Sequence, residues 1–202
     1  MSGGDGNRDG ERTTRDGAAN AGGGSGRDPG GDRDGVPSGT PADDETPEAA
    51  LAALRARMRT LQLATVGADG APHTGYTPHL FDGPDILIFV SRLAAHTRDL
   101  LERPRAAVML IADEADATQI FARTRVSYRC EATVIAPDAT SYEPLLDAFQ
   151  ARHGKMIGLL RQLPDFVLFR LRPTAGQFVM GFGKAYRLTG DAMDTFEHAT
   201  SG

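Results

Sequence analysis

The chain has 202 residues and a formal charge of −5, but residues 1–45 hold 13 of its 24 glycines and 10 of its 27 acidic residues against 5 of its 22 basic ones. What remains is neutral, with 17 acids and 17 bases, so a general nucleic-acid surface has no charge to stand on. The single cysteine, Cys130, excludes an intramolecular disulfide and a cysteine-rich zinc site.

Residues 1–45 have too few apolar side chains to form a core and read as a flexible, solvated Gly/Asp/Arg extension. The start has no apolar leader, and later apolar runs such as 86–90 are too short to span a bilayer, so a cytoplasmic protein without membrane segments is expected. Folding begins at Thr46-Pro47-Glu48, where a hydroxyl cap, a first-turn proline and an acid precede an Ala-rich helix over 49–59. Residues 61–66, the turn Gly67-Ala68-Asp69-Gly70 and residues 73–80 form a hairpin whose second strand Pro78 demotes to an edge or a bulge. A buried strand over 86–91 leads to a short helix over 93–102 that Pro104 stops. Next come a strand over 106–112, an acidic loop, an extended piece over 118–122 and a long strand in which Val126, Tyr128, Cys130, Ala132 and Val134 alternate with polar residues. Helical spacing of Leu145, Leu146, Phe149, His153, Met156, Ile157 and Leu160 predicts a helix over 142–162, bent at Gly154 or Gly158. Two strands, 166–172 and 177–182, surround a glycine-rich turn before residues 185–188, and residues 191–202 read as a loose end. Six or more strands with hairpin-length links predict a mainly β (α+β) domain over 46–190, a small antiparallel barrel with peripheral helices.

The common catalytic signatures are missing: no GxGxxG, P-loop, HExxH, EF-hand loop or GxSxG elbow occurs, which leaves dinucleotide-fold, zincin and hydrolase readings without an anchor. The local feature with a physical use is the passage from strand to helix at Ser91, His96 and Thr97, where free backbone N–H groups and polar side chains could hold a phosphate; a plain helix cap is the competing reading. Arg123 and Arg125, with Arg129 further along the same face, form a basic cluster able to clamp a phosphate or propionate, or to pair with the acidic loop. His153 falls on an apolar stripe and reads as a structural histidine. His73 and His79 share one strand face, lining a pocket or meeting solvent, while Cys130 reads as core.

Four segments, LATVGADGAPHTGYTPHL, IFVSRLAAHTRDLLERPRAAVMLI, DEADATQIFARTRVSYRCEATV and GKMIGLLRQLPDFVLFRLRPTAGQFVMGFGKAYRL, together resemble the pyridoxamine 5'-phosphate oxidase-like split barrels and, within them, the HugZ-type haem-utilisation proteins. The resemblance covers residues 57–190 and implies a homodimeric, FMN-binding split barrel with ligands at the dimer interface. It implies FMN phosphate bound by a hydroxyl, matched by Ser91, and an Arg-Lys pair, whose places are taken by His96 and Thr97. It further implies cofactor contacts near Gln119 and Arg125. For the haem-degrading relatives it implies an iron ligand near the C-terminus, for which His198 is the candidate, with Arg123 or Arg125 meeting the propionates and an external reductase supplying electrons. Asp165, before the strand at 166, is a supporting acid or a plain turn residue. Three readings follow: a flavin-dependent oxidoreductase, a haem-degrading oxygenase, and a cofactor-binding dimer without catalysis.

Overall fold

The computed structural model describes residues 45–199; the expected extension lies outside them up to residue 44. Helix α1 (Pro47–Arg57) starts as its sequence dictates, with Thr46 Oγ1 accepting from the Ala49 amide at 3.3 Å. Strands β1 (Thr60–Val66) and β2 (Pro72–Pro78) form the hairpin, and β3 (Leu80–Asp82) and β4 (Asp85–Ser91) a second one. Helix α2 (Ala95–Glu102) and β5 (Arg105–Ile111) follow, and the loop after them carries two 3-10 turns, Glu114–Asp116 and Ile120–Ala122, in place of the expected extended piece. After β6 (Arg125–Ile135) the predicted long helix is two, α3 (Tyr142–His153) and α4 (Met156–Leu160), broken where Gly154 takes a φ of 88°. The chain closes with β7 (Phe166–Gly181), β8 (Lys184–Thr189) and β9 (Thr195–His198).

All ladders are antiparallel, in the order β2-β1-β5-β6-β7-β4-β3, with β8 on the second half of β7 and β9 on β8. The sheet curls into a half-barrel. The 16 residues of β7 make this possible, because its first half pairs with β4 and its second half with β8 while β6 runs along its other side. Here the structure corrects the sequence reading, which ended one strand at residue 172 and began the next at residue 177, with Gly176 in the gap. That glycine sits inside the strand, and a Cβ there would stand 2.9 Å from Leu188 Cβ and 3.0 Å from Tyr128 Cδ1. It is glycine because two core side chains close over it.

The inner face packs Leu61, Leu63, Ile88, Leu110, Val126, Phe169 and Phe178 with Leu51 and Leu54 of α1. Arg55 closes one end, donating from Nε to Tyr128 Oη at 3.0 Å with its guanidinium over the Phe81 and Tyr128 rings. A second cluster, Leu87, Phe89 and Leu168 with Leu146, Phe149 and Ile157, covers the opposite face of β4 and β7. Burial on both faces explains the unbroken apolar run over residues 86–90 of β4, and Asp85 at its head is buried in ion pairs with Arg170 and Arg172. Among the described residues, no helix is long and apolar enough to cross a membrane.

The expected loose end also needs correction. Residues 195–198 pair with β8, and Met193 is buried while Phe196 packs against the same core, so two apolar anchors among polar residues hold the end in place.

Candidate functional site

Three groups of polar side chains stand out, and they lie on different sides of the sheet. The first surrounds α2. The Ser91 hydroxyl donates to Asp165 Oδ2 at 2.5 Å and accepts from the Leu93 amide at 3.1 Å, while the Arg92 amide donates to the Asp165 carbonyl. Asp165 thus ties the start of α2 to the start of β7, and a carboxylate occupies the place where a phosphate would need the Ser91 hydroxyl. Thr97 is fully buried with Oγ1 unpartnered, and His96 has Nε2 buried without a partner and its Nδ1 2.8 Å from where a Gly75 Cβ would stand. Burial pushes the His96 imidazole below its ordinary value, against the pull of Asp99, and so works against a charged ring. Ser91, His96 and Thr97 therefore offer no fixed positive charge and one competing negative charge. As a set they do not fit a phosphate dianion.

One turn further along α2, Asp99 is buried beneath the β1–β2 hairpin. Its Oδ2 accepts from Thr65 Oγ1 at 2.6 Å and meets His73 Nδ1 at 2.7 Å. The Thr65 hydrogen bond, followed by that of His73, holds the Asp99 carboxyl below its usual range against the opposing effect of burial. Thr65 and His73 are cross-strand partners, which is how the hairpin register delivers both to one carboxylate. His79, expected on the same strand face as His73, is separated from it because β2 ends at Pro78. It is fully buried, its ring edge-on to Phe81 at 5.2 Å, and burial and then the nearby Arg152 and His153 lower its pKa to about 4. His153 is structural as expected, with Nε2 bonded to the His79 carbonyl at 2.8 Å.

The second group is the loop before β6. Arg123 is spent inside it: Nε and Nη2 donate to the Ala112 carbonyl at 3.0 and 2.6 Å, and Nη1 pairs with Glu114 at 2.8 Å. That loop role displaces the expected ligand role. Gln119 caps its own 3-10 turn through the Phe121 amide, and Arg125 gives Nη1 to the Arg123 carbonyl.

The third group faces outward from β1, β5, β6, β7 and β8. In-register rows place Ala64, Ala107, Arg129 and Ala175 side by side, and next to them Met109, Ser127, Gln177 and Arg187. Two hollows of about 610 and about 420 Å³ flank Arg129, sharing Ala107 and Arg129 in their walls, with Arg105 and Arg187 at the far sides. Neither Arg105 nor Arg129 forms an ion pair among the described residues. Of these cations the sequence singles out only Arg129; Arg105 and Arg187 join it through strand order. His198, by contrast, shares a row with Val126, Phe178 and Tyr186 on the other face, its ring 5.3 Å from that of Tyr186. Among the described residues no three His, Cys, Asp or Glu side chains converge on a metal-sized site.

The family model described as pyridoxamine 5'-phosphate oxidase matches residues 47–180. Haem oxygenase HutZ of Vibrio cholerae is 38% identical over 149 residues, 74% of this chain and 85% of that protein. The crystal structure of HutZ, described there as a haem storage protein, superposes with a TM-score of 0.59 at 36% identity over 61% of this chain and 87% of that one. Campylobacter jejuni ChuZ superposes with a TM-score of 0.67 at 25% identity, covering 74% of this chain and 60% of the other.

Proposed function

Because the chain belongs to the pyridoxamine 5'-phosphate oxidase family, and within it to the haem-utilisation group of HutZ, we propose that it binds haem as a homodimer and serves its oxidative ring opening. The observation that carries this reading is a separation. His198 shares an inward row of the sheet with Tyr186 and Phe178, whereas Arg105, Arg129 and Arg187, which line the two hollows, stand on the outward rows. Two copies facing each other would bring both faces to one ligand, with iron ligation from one subunit and guanidinium groups for the propionates from the other.

Haem is then the substrate: its iron is where dioxygen and electrons from an external reductase are used. The chain's own part is to bind and orient. Arg125 stands at the end of the outward face beside Val179, and beyond the Arg123 carbonyl its guanidinium has no hydrogen-bond partner among the described residues, so it could meet an oxygen of the ligand. Arg129 sits between two hollows with small side chains at its flanks, a shape suited to a flat ring.

The test is titration of the purified chain with haemin, followed by ascorbate in air. A saturable Soret band at one haem per subunit, bleached to a linear tetrapyrrole, is the expected result. Absence of saturable uptake overturns the reading. The flavin reading of the same fold rests on the two orphaned buried atoms at α2, Thr97 Oγ1 and His96 Nε2. FMN uptake by the wild type that Thr97→Val abolishes would establish it.

A further inference from the structure

One row of the outward face differs from those beside it. Across β1, β5, β6 and β7 it reads Ala64, Ala107, Arg129, Ala175, so its single guanidinium has a methyl group as in-register neighbour on either side. In the row next to it Glu131 stands between Arg105 and Arg172, where opposite charges offset one another. On the other side Arg187 has Glu197 at 3.9 Å. Arg129 has no such counter-charge: it is exposed and forms no ion pair among the described residues.

The backbone sets this position apart as well. Pro173 has no N–H to give to the ladder, and the β6–β7 register shifts between Arg129 and Cys130, which leaves Thr174 as the extra residue of a bulge. The Thr174 hydroxyl donates to the Arg129 carbonyl at 3.2 Å and fills the break. Arg129 thus stands in the walls of both hollows, of about 610 and about 420 Å³. A guanidinium without a counter-ion takes a carboxylate through two parallel N–H···O bonds, and the row of methyl groups gives a ring system an apolar floor. No histidine lines either hollow, and the buried Cys130 thiol at one of them is pushed up to about 12. These walls therefore hold no imidazole or thiolate for a haem iron.

We infer that the hollows recognise tetrapyrroles through their carboxylates, with Arg129 as the anchor and without regard to the metal, so that a metal-free porphyrin and a ring-opened tetrapyrrole take the place of haem. The inference rests on the haem reading above and adds regulation to it. Opening the macrocycle at a methine bridge leaves both propionates intact. The product then gives up the iron ligand but keeps Arg129, and it competes with the next haem.

Titration of the full chain with haemin, protoporphyrin IX, protoporphyrin IX dimethyl ester and biliverdin tests this, each followed by its own absorption band. Protoporphyrin IX and biliverdin should bind saturably and displace one another, and the dimethyl ester should bind at least about 10-fold more weakly. Arg129→Gln should weaken both free acids about 10- to 100-fold, with the ester affinity and the thermal melt unchanged. An ester that binds as tightly as the acid, or free-acid affinities that Arg129→Gln leaves in place, overturns the inference. Haemin uptake without uptake of the metal-free porphyrin also overturns it and leaves the haem reading standing. Uptake of protoporphyrin IX and biliverdin without haemin would support recognition by the carboxylates and fail the haem reading instead.

Discussion

Protonation of His79 is a cost that the fold defers to acid pH. Its ring is fully buried, neither nitrogen has a partner, and it faces Arg152 and His153 from α3 and Phe81 from β3. The pKa is depressed from 6.5 to about 4, by burial first and then by Arg152 and His153. The unfolded chain therefore takes up a proton near pH 6.5 that the folded chain refuses until about pH 4. Stability is unaffected above this window and falls as pH drops through it, by up to about 3 kcal/mol at roughly 1.4 kcal/mol per pH unit. Carboxylates lose stability over part of the same range, so the comparison is with His79→Leu, which removes the imidazole and leaves no orphaned ring nitrogens. The backbone carbonyl that receives His153 stays in place. Urea denaturation of both proteins between pH 7.5 and pH 4 should show the variant gaining on the wild type as pH falls, with most of the gain complete by about pH 4.5. A stability difference that does not vary with pH would refute the reasoning.

Asp85→Ala strips the partner from Arg170 and Arg172 at the head of β4. The expected loss is near the lower end of about 3–5 kcal/mol, because Arg170 keeps Asp82 and Arg172 reaches solvent; a thermal melt shifted by only a degree or two would contradict it. Gly176→Ala forces a methyl group between Leu188 and Tyr128 and should cost about 1–3 kcal/mol, read as a lower urea midpoint at unchanged m. Cys130 is buried, and burial pushes its thiol up to about 12. It should stay unmodified by a thiol-disulfide reagent at pH 8 in the folded chain and react at once in urea; fast reaction without denaturant would show that this part of β6 opens.

The strands that read clearly in the sequence are those with one solvent face or none. β6 alternates because its odd-numbered positions face outward, and β4 is apolar over residues 86–90 because clusters cover both its faces. The misread segments are those where a residue's local meaning yields to a distant partner. Pro173 to Gly176 breaks the strand pattern until Tyr128 and Leu188 are placed over Gly176, and the last strand is hidden because only Met193 and Phe196 anchor it. The same applies to function. Ser91, His96 and Thr97 are close in sequence, yet Asp165 takes the hydroxyl and the core takes Thr97. Thr65, His73 and Asp99 are brought together by a hairpin register and a helix crossing it, which no local pattern announces. Arg123, legible as a ligand, is consumed by its own loop.

The most direct test of the central claim is sedimentation velocity recorded at the Soret wavelength on haemin-loaded protein. If the imidazole and the arginine-lined hollows are supplied to one haem by two copies, the haem absorbance sediments with a dimer, and Arg129→Glu releases haem and dimer together. Haem that sediments with a monomer at full occupancy would contradict a site shared between subunits.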